Sequence, residues 1–331
     1  MNQRYLFGFI SLLLISISGC NNNGSNNFIP SDSSTQNKVF NQKISSTKYR
    51  DQLQMTLNGN GVGLGLYSEN GTIDKSHIFY LKPNERLKKF ISISNNIPES
   101  RVYKILLFID FKQEEFSIDG RPYSDNYTFE MDSNETLEIP FICKEFSPGF
   151  HDCFFVIVKY PDKKFLDSDF RKQTDMNNLL FLRFKVSIEN EIVPEYKIKK
   201  FTPSPEKSII DGIFISDQEN VLKRWLVQKI KRNDMVQYYA HVGNKKRDNK
   251  QYALIVLLDW KQVAINQEGD KTLYFELKEN EMITIPSLIK APEKKGIYDL
   301  SAILIQNPYS EQEIKSRGIS TCIRVGIDVT N

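Results

Sequence analysis

The sequence predicts an all-β protein, two tandem β-sandwich domains behind a signal peptide and a disordered tether. Three observations predict it: short apolar segments bounded by turn residues along most of the chain, no alternating helical pattern, and a second half that repeats the first. With 331 residues, 40% of them apolar and 12% aromatic, there is material for two cores. Forty-four Lys and Arg against 41 Asp and Glu leave a formal charge of +3, which argues against a wholly basic nucleic-acid binder. Three His and four Cys leave little with which to build a zinc site or a His-based active site, so no metal or other cofactor is expected.

Residues 1–19 carry Arg4, an apolar run from Tyr5 to Ile17, and the small pair Ser18-Gly19 before Cys20. This is the layout of a cleaved secretory signal, and the run falls short of the roughly 20 residues that span a bilayer. The tetrapeptide Ile17-Ser18-Gly19-Cys20 resembles a bacterial lipobox. That resemblance implies a lipoprotein cleaved just before Cys20, with a diacylglyceryl group on that cysteine as its membrane anchor. It would then sit on the outer face of the cytoplasmic membrane or, if Gram-negative, in the outer membrane. Asn21 stands where many inner-membrane lipoproteins have Asp. The alternative is an ordinary signal peptide with a chance cysteine. Residues 20–50 are dominated by Asn, Ser, Thr, Gln and Lys, the composition of a flexible tether with a reach of roughly 30 Å.

The duplication appears at a constant offset of 149. It pairs Gly63 with Gly212, Lys82 with Lys231, Asn84 with Asn233, Asn95 with Asn244 and Tyr103 with Tyr252. Asp110-Phe-Lys112-Gln113 falls on Asp259-Trp-Lys261-Gln262. After a short deletion, Asn134-Glu135 meets Asn280-Glu281, Ile139-Pro140 meets Ile285-Pro286, and Arg183 and Arg324 fall in equivalent final strands. The domains are therefore drawn at 51–193 and 194–331, joined by a proline-spaced linker from Val193-Pro194 to Pro203-Ser-Pro205.

Within each copy seven or eight strands are expected, at the spacing of a sandwich or barrel. Gly149-Phe-His151-Asp152 and Gly296-Ile-Tyr298-Asp299 each precede an apolar strand. These steps resemble the tyrosine-corner region before a late strand of immunoglobulin-like domains, which implies Greek-key sandwiches. The stretch Val221–Ile230 has near-helical apolar spacing, but its repeat counterpart, Ile73 to Leu81, reads as a strand and is followed here.

Little chemistry is nominated. Cys143 and Cys153 flank a nine-residue connection and leave two readings open, a disulfide or two buried thiols, since the second copy has Ile289 and Leu300 there. Cys322 aligns with Phe181 and reads as a core residue. The Gly59–Gly65 alternation fits no phosphate loop. The recurring Asp-x-Lys-Gln could grip a sugar or peptide but reads better as a strand-end turn. His77, His151 and His241 are each unmatched between copies, and neither a Gly-x-Ser-x-Gly nor a His-Glu-x-x-His motif occurs.

Two binding surfaces stand out. Lys223 to Lys250 holds nine Lys or Arg and two acidic residues, densest at Lys245-Lys246-Arg247. The long connection 161–178 carries Phe165, Leu166 and Phe170 in positions that read as exposed. The expectation is a non-enzymatic, lipid-anchored envelope protein that binds a protein or an anionic wall polymer and no nucleic acid. A structural or inhibitory module pairing with another secreted protein is the alternative, and a surface hydrolase is a third reading.

Overall fold

The structure, a computed structural model, describes residues 61–68, 76–118, 120–173, 177, 179–189, 192–245, 248–310 and 318–331. The leader, Cys20 and the tether lie outside the described residues.

The first sandwich comprises β1 (Gly61–Tyr67), β2 (Ile78–Leu81), β3 (Lys88–Asn96), β4 (Arg101–Ile109), β5 (Lys112–Glu114), β6 (Phe116–Ile118), β7 (Asn126–Met131), β8 (Glu135–Cys143), β9 (Gly149–Lys159) and β10 (Leu180–Ile188). One sheet runs β1-β3-β8-β6 and the other β2-β10-β9-β4-β5, with β7 added to β4. Strand β2 pairs in parallel with β10, and β10 and β4 pair antiparallel to β9. Lettered in chain order, this is A-B-E-D facing A′-G-F-C-C′, the immunoglobulin-like arrangement.

The second sandwich repeats it with β11 (Gly212–Ser216), β12 (Val227–Lys231), β13 (Met235–Gly243), β14 (Lys250–Leu258), β15 (Lys261–Val263), β16 (Thr272–Leu277), β17 (Met282–Lys290), β18 (Gly296–Gln306), β19 (Ile319–Thr321) and β20 (Val325–Thr330). Its sheets run β11-β13-β17 and β12-β20-β18-β14-β15. Strand counts exceed the sequence reading because three-residue strands look like turns in sequence and the last strand is split around Cys322–Arg324. The ambiguous stretch is extended from Val227, where β12 lies parallel to β20, while Trp225 before it is buried in the core.

Turn chemistry explains many of the repeated identities. Asn84 and Asn233 (φ 64° and 64°), Asn134 and Asn280 (57° and 60°), and Asp110 and Asp259 (49° and 50°) all adopt the left-handed conformation that Asn and Asp tolerate best among non-glycine residues. In three of these turns the following Glu reaches back: Glu85 to the Lys82 N–H (2.9 Å), Glu135 to Asp132 (2.7 Å) and Glu281 to Lys278 (2.8 Å). Asn95 and Asn244 tie loops together, each donating its amide to two or three carbonyls on separate segments. Pro286 interrupts the outer edge of β17: Leu288, two residues on, donates outward to Ile265 O, and Pro286 has no N–H to offer at the equivalent place.

The disulfide reading is corrected. Cys143 on β8 and Cys153 on β9 lie on opposite sheets, both buried and both free thiols, in one core cluster with Phe116, Phe155 and Phe184. Each fills an apolar position, as Ile289 and Leu300 do in the second core. Burial pushes both thiols well above their ordinary value and keeps them protonated, hence unreactive. Cys322 is likewise buried, its thiol pushed up to about 11 by burial.

The corner resemblance takes a definite form. Tyr298 Oη donates to Lys294 O (2.8 Å), and in the first copy His151 Nε2 makes the same four-residue step back to Ser147 O (2.8 Å). The imidazole also meets Asp110 Oδ2 through Nδ1 at 2.7 Å. Burial alone would lower its pKa, but these two acceptors outweigh burial and raise it, favouring the imidazolium.

Candidate functional site

Every residue of β9 is buried, an unusual pattern for one strand of a sandwich with a solvated outer face. The cause is a third apolar cluster. Leu106, Phe108, Phe154 and Val156 of the first copy pack against Ala253, Ile255, Leu257 and Ile303 of the second, so the A′-G-F-C-C′ sheets cover one another.

Across this seam the copies exchange equivalent contacts. Gln113 N–H donates to Gln262 Oε1 (2.8 Å), and Gln262 N–H donates to Gln113 Oε1 (2.7 Å). Each amide then donates to the carbonyl two residues before its partner, Gln113 to Trp260 O (3.1 Å) and Gln262 to Phe111 O (2.9 Å). The arginines reciprocate too. Arg183 donates to Gln306 O and Asn307 O (3.2 Å each), and Arg324 donates to Lys159 O (2.5 Å) and Tyr160 O (3.2 Å). The seam thus has the pattern of a two-fold interface, residue i meeting j as j meets i, within one chain. The Asp-x-Lys-Gln motif is explained by it: Asp holds the turn, Lys112 and Lys261 face solvent, and Gln crosses the seam.

The symmetry breaks at the buried aspartates. Asp152 is bound by Arg183 through two hydrogen bonds (3.0 and 2.5 Å) and by Lys185 Nζ at 2.5 Å, and it accepts the Tyr309 N–H (2.9 Å). Burial would raise its pKa, but Arg183 and Lys185 prevail and lower it. Burial in turn brings Lys185 down to about 8 against the pull of Asp152. In the second copy the place of Lys185 is taken by Gly326, and a Cβ there would lie 2.8 Å from the Arg171 guanidinium. Arg171 comes from the 161–178 connection and pairs with Asp299 at 2.7 Å, so a side chain of the first copy supplies the charge that the second lacks. Lys164 reaches Asp259 and Asp299, and Asn177 Oδ1 accepts the Arg324 N–H (3.0 Å). The connection is therefore a strap docked on the second domain, carrying α1 (Ser168–Lys172) capped by Asp167.

Of the residues nominated from sequence, Phe165 is 60% exposed at the strap, its ring edge-on to the half-buried Phe170 at 5.1 Å. Lys245 is exposed in the β13–β14 connection; Lys246, Arg247 and Cys20 lie outside the described residues. Among the described residues the basic run is divided by β13. Lys229, Lys231 and Arg232 precede β13 and Lys245 follows it, so nine residues of strand, about 30 Å, separate the groups. The sequence missed Gln113, Gln262, Arg171 and Gly326. The first two left a signal in their recurrence; the last two recur nowhere and left none.

One Ser–His pair occurs among the described hydrogen bonds. Ser216 Oγ lies 2.8 Å from His241 Nε2, but the hydroxyl donates to Gln218 O (2.5 Å) and so cannot hand its proton to the ring. His241 Nδ1 meets Thr284 Oγ1 (3.0 Å), not a carboxylate, and burial lowers its pKa. The arrangement bridges strands and lacks the orientation of a nucleophile and base.

No protein-family profile matches the sequence, and no curated protein does. Among solved structures the chain is similar to the C-terminal domain of the Streptococcus agalactiae AgI/II polypeptide BspA, at 10% identity over 81% of this chain and 100% of that one, TM-score 0.22. It is also similar to a CARDB domain from Pyrococcus furiosus solved with di-metal ions, at 11% identity over 39% and 92%, TM-score 0.23. Red sea bream transglutaminase follows at 5% identity over 83% and 32%, TM-score 0.23. At such scores the fold assignment rests on the strand order itself.

Proposed function

We propose that the chain is a lipid-anchored, non-enzymatic module of a bacterial envelope that docks a protein partner at its strap. The observation that carries this reading is Phe165, a large apolar side chain left 60% exposed on a segment whose neighbours Lys164 and Arg171 are fixed by ion pairs. A pre-ordered aromatic anchor loses little entropy on binding, which is the property of interface hot spots. The separation of Lys229, Lys231 and Arg232 from Lys245 favours a protein over a polyanion, because a charged polymer is held best by a continuous patch. The lipobox-like Ile17–Cys20 supports membrane anchoring outside the cytoplasm.

The test is a photo-crosslinking residue placed at Phe165 in the full chain in its own cells, with the same group at exposed Tyr80 as control. A discrete crosslinked protein from position 165 alone, unchanged in high salt, is expected. Equal products from both positions, or none from 165, would overturn the assignment, and salt-sensitive retention on cell-wall polymer would favour the polyanion.

A further inference from the structure

The second domain carries a cleft of about 380 Å3 lined by Asn249, Lys250, Gln251, Glu276, Asn307, Pro308 and Ser310. Its meaning emerges from the matching place in the first domain, where the chain fills the same position with its own ring. Tyr160 stands where the second copy has Asn307, and both adopt a left-handed backbone, φ 52° and 44°. The Tyr160 ring lies under the Arg101 guanidinium (4.5 Å) and against Lys163 Nζ (4.0 Å). Its hydroxyl bonds to Glu99, which also holds Arg101 at 2.9 Å. A phenol is thus received between cations, its hydroxyl donating a hydrogen bond to a carboxylate.

In the second domain the cation is retained as Lys250, nine-tenths buried and fixed by Gln306 Oε1 (3.1 Å). Gln251 is held by Tyr196 (2.9 Å), Glu276 provides an exposed carboxylate, and Pro308 repeats Pro161. The ring itself is replaced by the shorter Asn307, with Ser310 in place of Lys163. We infer that this cleft receives a tyrosine side chain from a partner protein, in the manner that the first domain receives Tyr160. A ring over Lys250 gains cation–π attraction, and its hydroxyl finds Glu276. The inference deepens the reading of the chain as a protein-binding module, but it concerns a different surface from the strap. Its probe is a small molecule, so failure of the crosslink at Phe165 and failure here are separate results.

The experiment titrates p-cresol, the tyrosine side chain capped with hydrogen, into the full chain in detergent while following the side-chain amide signals of Asn249 and Gln251. Saturable shifts are expected, at least fivefold weaker with toluene and absent with methyl glucoside. Asn307→Tyr fills the cleft from within and abolishes them. Glu276→Ala, at an exposed position that leaves the fold intact, weakens them at least threefold. Absence of saturable shifts, equal binding of toluene, binding of the glucoside instead, or p-cresol binding untouched in both variants would each overturn the inference.

Discussion

Truncating either seam glutamine should cost nearly the same, and this equality is the sharpest consequence of the reciprocal geometry. Gln113→Ala removes the acceptor of the Gln262 N–H at 2.7 Å and the donor to Trp260 O at 3.1 Å, together with a longer bond to Asp125 O at 3.3 Å. Gln262→Ala removes the mirror set, the acceptor of the Gln113 N–H at 2.8 Å and the donor to Phe111 O at 2.9 Å, together with a bond to Lys271 O at 3.0 Å. At about 1 kcal/mol net per hydrogen bond, each loses about 3 kcal/mol. Truncation also removes the entropy cost of ordering the glutamine side chain, about 1 kcal/mol, leaving about 2 kcal/mol. Across the seam each side chain bonds to its partner's backbone and not to its partner's side chain, so the double variant should lose close to the sum. Urea unfolding followed by tryptophan fluorescence is the assay, since Trp260 is buried in the seam cluster. On a slope of about 3 kcal/mol per molar, each midpoint falls by about 0.7 M. A full loss for one variant with none for the other would refute the pseudo-symmetric reading, as would an unchanged midpoint for both.

Four further outcomes follow from the charges and anchors. The unfolded chain keeps the Lys185 proton up to its ordinary 10.5 and the folded chain releases it at about 8, so stability should rise with pH between these values, by at most about 3 kcal/mol. Lys185→Met should erase that rise without loss at pH 7, as melting temperatures across the range will show. His151 has a raised pKa in the fold, so its contribution is complete below 6.5 and declines as pH climbs through the folded value. His151→Tyr, which copies Tyr298, should flatten this decline above pH 6.5 in the same measurement. Gly326→Ala drives a methyl into the Arg171 guanidinium, and should cost about 1–3 kcal/mol and expose the strap to limited proteolysis. Cys20→Ala should abolish incorporation of labelled fatty acid and release the chain from the membrane fraction; retained label would sink the lipobox reading.

The duplication, the strand content and the corner steps were legible because they are local. A left-handed turn asks for Asn or Asp wherever it occurs, so Asn84, Asn134, Asn233 and Asn280 recur in register. The strand at Val227 was legible only through its repeat, since the local spacing favours a helix and pairing to β20 decides otherwise. The seam was not legible, because a repeat shows that a residue is needed in both copies and not that the copies meet. Gln113 and Gln262 looked like solvated turn residues for that reason. The strap was harder still. Of the three side chains read as exposed, Phe165 is, while Leu166 and Phe170 are half-buried; Lys164 and Arg171 are fixed by Asp259 and Asp299, some 95 to 135 positions away, and no local pattern encodes such a contact.

A surface that binds its own duplicate through matched contacts is what a self-associating single domain would present before its gene was copied and joined. In such an ancestor every substitution at the seam struck twice, once on each side of the axis, and had to suit both. Fusion removes that constraint. Gly326 and Arg171 use that freedom: where one half has Lys185 the other has glycine, and a strap encoded only once delivers the cation there. The two sides of the seam can therefore drift apart in sequence while the contact between them endures.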